Sequence, residues 1–432
     1  MEYLSTEKIL IVDLGSGETY EEEIAEELVL ERIGGAAITK SLYEQYADED
    51  PIVIGTGLFT GTLYPASALG MITAKSPRTG KLCNVPFTMK VATEMKYAGF
   101  DYVVIKGSSD KPVFLWIHDG VADVTDAADV WGKDTWDTVD AWRKMVGDEL
   151  LQNLVIGPAG ENGSDFAQVC TNFWSSGDYF GLGKVFGQKK LKGVALRGMG
   201  FLDVDDPEGF IEKALELVGA CKKGASAGKK GVEELCAALG AADVPGWLAP
   251  LVHTRTSCYN TPFATNTFAY LDEDPGRKEE TKVAEPGVLI NDAYALMGFK
   301  ELGLSAEDAC RILKCCAKQG VDPYAVAVIS KAKGVSSKDQ IECNLSGMAG
   351  DVALFGNGVF SPWAPNQAVF ADSDESWEKR QALAYIFGIH PVYIMMAPEL
   401  TAQSMVELAQ VGTGLDITEE TLDSLIAELT EG

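Results

Sequence analysis

The chain has 432 residues, 46 % of them hydrophobic and 23 % charged, with a formal net charge of −28. Such a length holds two or three domains with an ample core, and the apolar content excludes a disordered chain. The charge repels nucleic-acid phosphates and anionic lipid, so neither is an expected partner; solubility is the plainer account of it, a basic protein partner the other.

Residues 1–8 show neither a basic n-region nor an apolar h-region, so no secretory signal is expected. Residues 9–12 form a short apolar run closed by Gly15-Ser16-Gly17, and similar runs lie at 102–105, 113–117 and 154–156. Each is bounded by Gly, Pro or Asp, the punctuation of strands. Short helices are expected between them, one over 21–31. The Gly15-Ser16-Gly17 turn invites a dinucleotide reading, but the third glycine of that fingerprint is replaced by Tyr20, and Glu21, Glu22 and Glu23 would repel a pyrophosphate. A hairpin turn is the better expectation. Gly181, Gly183 and Gly187, with Lys184, Lys189, Lys190 and Lys192, offer close backbone approach and positive charge to an anionic cofactor, or simply a packed turn.

From Asp206 the pattern becomes helical. Asp206 caps a helix that begins with Pro207. Ser305 and Asp308 resemble a capping box, Cys310, Leu313 and Ala317 share one face, and Gly320 ends that helix. Thr418 caps a helix over 419–431 with Leu422, Leu425, Ile426 and Leu429 as its apolar stripe. Loops are expected at 222–230 and 272–287. The apolar stretch 382–398 is broken by Gly388, His390 and Pro391 and reads as core, with no membrane association expected. The nine cysteines are scattered without a C-x-x-C pair, as in reduced cytoplasmic proteins; Cys310, Cys315 and Cys316 read as core residues.

Several strings in order resemble the N-terminal domain of the aldehyde:ferredoxin oxidoreductase family: Ile33-Gly34-Gly35, the run 55–62, Lys75-Ser76-Pro77-Arg78-Thr79-Gly80, 96–101, 111–113, 131–135, 156–162 and the glycine-lysine segment 181–192. The resemblance implies an α+β protein: a β-rich pterin base over 1–203, then mostly helical second and third domains, shortened here, over 204–432. It also implies a tungsten- or molybdenum-bispterin with bridging magnesium, a [4Fe-4S] cluster, aldehyde or thioester redox chemistry, and electron transfer to an iron-sulfur protein. If a pterin is kept, Asn84, Gly181, Gly183, Lys184, Lys189 and Lys192 would contact it.

The family's ligands are largely replaced. In the cluster frame only Cys258 remains; Thr261 and Thr265 take the next two places, and His390 takes the fourth-cysteine position. In the pterin frames Ala295, Lys300 and Tyr385 replace acids, Asp178 replaces an arginine, and Thr88 and Met89 lie where a double glycine is expected. The first expectation is therefore a cofactor-poor structural or docking subunit without pterin or [4Fe-4S]. It would be homo- or hetero-oligomeric, alongside an intact relative or an iron-sulfur subunit. The second is an active metal-pterin enzyme with His390 and His253 as the catalytic candidates. The third is a repurposed pocket lined by Cys258, Tyr385 and His390.

Overall fold

The computed structural model describes residues 3–224, 227–271, 287–353, 358–361 and 376–430. The expected loop at 272–286 lies outside the described residues, as does Glu431 of the last helix.

The N-terminal 200 residues build two sheets. The first contains β1 (Lys8–Asp13), β2 (Glu18–Glu23), β3 (Ile52–Thr56), β4 (Gly70–Lys75), β5 (Leu82–Phe87) and β6 (Tyr102–Lys106), in the order β2-β1-β6-β3-β4-β5. Only β1 and β6 run parallel. Gly15-Ser16-Gly17 makes the β1–β2 hairpin, with the Asp13 carboxylate accepting the Gly15 and Ser16 amides and Gly17 at φ +76°. The expected helix over 21–31 is corrected in part: its acidic start completes β2, where alternate glutamates face solvent, and the helix α1 runs from Glu26 to Arg32. The second sheet contains β7 (Val113–His118), β8 (Val121–Asp126), β9 (Gln152–Ile156), β10 (Val169–Thr171) and β11 (Leu191–Arg197), in the order β10-β9-β11-β7-β8. Val12, Ile54, Ile72 and Val103 of the first sheet share a core with Leu115, Ile156 and Leu196 of the second. Around them lie α2 (Gly35–Gln45), α3 (Val91–Tyr97), α4 (Thr135–Val146), α5 (Pro158–Glu161) and α6 (Leu182–Gln188).

The rest of the chain is mostly helical. α7 (Pro207–Lys223) is capped by the Asp206 carboxylate, which accepts the Gly209 amide, and absorbs Lys222 and Lys223 from the expected loop. α8 (Val232–Ala238) and α9 (Val244–Leu248) follow. An unexpected three-stranded sheet then appears: β12 (Val252–Thr256), β13 (Asn266–Tyr270) and β14 (Gly287–Ile290), all antiparallel. These strands are four or five residues long, too short for their alternation to stand out. Beyond it lie α10 (Ala293–Glu301), α11 (Ala306–Gln319), α12 (Pro323–Ala332), α13 (Lys338–Asn344), α14 (Trp377–Phe387), α15 (Pro391–Met396), α16 (Ala402–Thr413) and α17 (Glu419–Thr430). Ser305 accepts the Asp308 amide, Gly320 ends α11 in the left-handed region, and Cys310, Leu313 and Ala317 are buried, as expected. The α17 stripe is buried too, and Glu428 on that helix holds Arg32 at 2.6 Å and Lys40 at 2.8 Å. No helix of the described residues is long and apolar enough to cross a membrane.

Candidate functional site

The glycine strings have a tertiary task. A Cβ on Gly35 would overlap the carbonyl oxygen of Tyr385, and one on Gly57 would overlap the backbone of Gly388. The amides of Leu58 and Phe59 donate to Ile386 and Phe387. The base therefore receives the C-terminal end of α14 backbone against backbone, which only residues without side chains permit. The glycine-lysine segment behaves alike: a Cβ on Gly181, Gly183 or Gly187 would meet the carbonyls of Asp165, Gln168 or Gly160. Its glycines close on the protein's own chain.

The lysines of that segment are engaged. Lys184 pairs with Asp165 at 2.7 Å, and the Lys189 ammonium donates to the Gly107 carbonyl at 3.0 Å. Lys192, fully buried at its side chain, pairs with Glu161 and donates to the Lys133 carbonyl at 2.9 Å. Lys190 lies over the Trp131 ring.

Asp178 takes the place where an anion would meet the start of α6. Its carboxylate accepts the amides of Phe180, Gly181 and Leu182 at 2.9 Å and of Val169 at 3.4 Å. A helix start attracts negative charge; here the chain supplies its own. Burial pushes this carboxyl up to about 6, with the four amides pulling the other way. Asp292 and Asp322, also buried, cap α10 and α12 through the amides of Ala295, Tyr324 and Ala325. Burial pushes Asp292 up to about 6 and Asp322 well above the usual range, and Asp292 adds to the rise at Asp322. Arg78 donates to the carbonyls of Tyr179 and Val352 and lies over the Phe166 ring, with Asp322 and Asp178 acting on it electrostatically.

Asn84 sits on β5, the outer strand of the first sheet. Its free edge is covered by residues 358–361. The Asn84 amide donates to the Val359 carbonyl at 2.7 Å, the Ser361 amide donates to the Asn84 carbonyl at 2.9 Å, and Asn84 and Phe360 form a parallel bridge. The Ser361 hydroxyl donates to the Gly177 carbonyl, and the Tyr179 amide donates to that hydroxyl. Phe360 is buried against the Tyr385 ring, 4.8 Å between centroids, and the Tyr385 hydroxyl donates to the Ser361 carbonyl at 3.3 Å. Sequence reasoning missed this segment because nothing in Gly358-Val359-Phe360-Ser361 marks it as a sheet partner.

Ala66 joins two of the remaining candidates' surroundings: its amide donates to the Asn260 carbonyl, two residues after Cys258, and its carbonyl accepts the His390 amide at 2.8 Å. Cys258 is buried beside Thr88, Met89, Thr265 and Asn266, whose side-chain amide donates to its sulfur at 3.7 Å; burial pushes the thiol up. The Thr265 hydroxyl donates to Asn266. Met89 stands at φ +64°, a left-handed position where the resemblance expects glycine. His390 precedes α15, is fully buried, and burial pushes its imidazole down to about 3, so it is neutral at physiological pH. His253 lies on exposed β12 against the rings of Phe268 and Tyr270. Ala295 belongs to the helical core, and Lys300 pairs with Asp243. Among the described residues, no three of His, Cys, Asp and Glu stand together as a metal site would require.

Residues 9–198 match the family described as aldehyde ferredoxin oxidoreductase, N-terminal domain. The chain is 36 % identical over 229 residues to the tungsten-containing aldehyde ferredoxin oxidoreductase of Pyrococcus abyssi, covering 51 % of this chain and 38 % of that one. It is 30 % identical over 239 residues to the aliphatic sulfonate oxidoreductase, WOR-like subunit, of Pyrococcus furiosus, covering 50 % and 37 %. The match thus spans under two fifths of those relatives' length. Among solved structures, the active site complex BamBC of benzoyl coenzyme A reductase superposes with a TM-score of 0.79 over 99 % of this chain and 88 % of that one, at 15 % identity, which establishes the fold.

Proposed function

We propose, from the match of residues 9–198 to the N-terminal domain of the aldehyde ferredoxin oxidoreductase family, that the chain serves as a cofactor-poor structural or docking subunit of a cytoplasmic redox complex. The observation that carries this reading is the pairing of Asn84 with residues 358–361. The chain covers the strand edge where the resemblance puts a pterin contact.

The residues around it do not fit a phosphate-bearing bispterin. Asp178 already accepts the amides at the start of α6, the donors that a phosphate would otherwise take. Lys184, Lys189 and Lys192 already satisfy internal acceptors. One buried thiol and one neutral imidazole do not fit a [4Fe-4S] cluster, which takes four thiolates. Two similar proteins carry names of assemblies, a WOR-like subunit and the BamBC complex. An intact relative or an iron-sulfur subunit is the corresponding partner class here.

The test is elemental analysis with a visible spectrum, on protein purified without oxygen from its native host. Tungsten, molybdenum and iron all far below one atom per chain are expected. Tungsten or molybdenum near one per chain would overturn the reading and restore an enzyme; iron near four would overturn the assignment of the cluster frame.

A further inference from the structure

The region linking the two parts of the molecule exposes an apolar surface on the described residues. Met199 is 80 % exposed and Phe201 81 %. They continue onto the outer face of α7, where Ile211 and Leu215 stand one turn apart and both face solvent. Beside them opens a cleft of about 410 Å³ whose lining, including Leu63, Tyr97 and Tyr259, carries no charged side chain. An isolated exposed leucine is ordinary, but a contiguous apolar cleft rimmed by charge marks an interaction site.

The rim has one sign. Glu208, Glu212 and Glu216 run along α7 at four-residue spacing next to Ile211 and Leu215, and all three are exposed. Asp203 and Asp205 extend the acidic edge. Like charges at that spacing destabilise a helix by a few tenths of a kcal/mol per pair. Among the described residues no lysine or arginine pairs with any of the three; Lys213, the basic residue on the same helix turn, is held by Glu407 at 3.2 Å.

We infer that this face docks an amphipathic helix of a partner protein, with apolar side chains in the cleft and lysines or arginines against the glutamates. An apolar cleft beside a row of glutamates suits a helix with one apolar and one basic face, and the charge pattern sets its orientation and partner choice. A second copy of this chain is the wrong occupant. Two acidic stripes would face each other, between molecules that each carry a net charge of −28. The inference names a partner class for the docking role and rests on that reading, but it concerns a face whose binding is measured without reference to metal content.

The probe is a fluorescent helical peptide with leucines at i, i+4 and i+7 and lysines beside them, titrated into the whole protein. Its counterpart carries glutamates in place of the lysines. Saturable binding of the basic peptide alone is expected. The double variant Ile211→Ser/Leu215→Ser should weaken it at least tenfold with net charge unchanged. Glu212→Lys/Glu216→Lys should weaken it similarly and flatten its salt dependence. These positions are exposed, so both variants should keep the wild-type melting temperature. Equal binding by Ile211→Ser/Leu215→Ser would show general attraction to an acidic protein and overturn the inference. So would binding of both peptides, binding of neither, or a homodimer that the apolar variant abolishes.

Discussion

At the scale of residues, the buried titratable groups give opposite signatures in pH. Asp178 and Asp292 have carboxyls pushed up to about 6, against about 3.9 in an unfolded chain. The folded state therefore keeps protons that the unfolded state has released. The stability these carboxyls contribute is full below pH ~3.9 and is lost as pH rises through about 6. His390 runs the other way. Its imidazole, pushed down to about 3 from 6.5, stays neutral when folded while the unfolded chain takes a proton. Its contribution is full above pH 6.5 and is lost as pH falls towards 3. Thermal melts from pH 7 to pH 5 separate the two. The wild type's advantage over His390→Asn should shrink across that range, and its advantage over Asp178→Asn should grow. Parallel curves for either pair would contradict the assignment. Asp178→Ala, which strands amides at the start of α6, should cost about 2–4 kcal/mol in urea unfolding.

At the scale of elements, the glycine strings read in the sequence as family marks turn out to be contact surfaces. Gly35→Ala combines a left-handed φ of +52° with overlap against the Tyr385 carbonyl. Strain and overpacking together predict a loss of about 2–5 kcal/mol. Gly17→Ala has a similar φ but nothing within 4 Å, so about 1 kcal/mol is expected. Equal losses, measured as urea midpoints, would refute the packing role. The contrast also shows what a sequence discloses. The strand at 9–12, the hairpin at Gly17 and the caps at Asp206 and Ser305 were legible because their causes are local: an apolar run, a turn residue, a side chain reaching its own helix. The sheet formed by β12, β13 and β14, and the pairing of residues 358–361 with β5, were not. Those depend on partners from 10 positions away, Thr256 with Asn266, to 277, Asn84 with Ser361, and none of these segments carries a distinctive pattern. At the candidate site the replacements at Asp178, Tyr385 and His390 were visible, but what each side chain does instead was not. Asp178 caps α6, Tyr385 holds Ser361, and His390 is a neutral core residue. The α7 pattern of Glu208, Ile211, Glu212, Leu215 and Glu216 was present in the sequence as well. Its meaning depended on knowing which face of that helix the fold leaves uncovered.

At the scale of the whole molecule, a β-rich base and a helical cover meet through the end of α14, the buried acids and the segment at Ser361. Glu428 adds an ionic tie from the last helix to Arg32 and Lys40 near the start of the chain. The cover closes the base with its own backbone at residues 358–361. Asn84 reports this directly, because its amide points off the outer edge of the sheet and bonds to Val359 rather than to a neighbouring strand. Hydrogen exchange of the Asn84 amide in the isolated protein is the decisive measurement. Protection comparable to the amides inside β4, lost in a Phe360→Gly variant that remains folded, is the predicted result. Exchange as fast as in the exposed β1–β2 turn would mean that the edge is open, and would contradict the claim that residues 358–361 cover the outer edge of the first sheet.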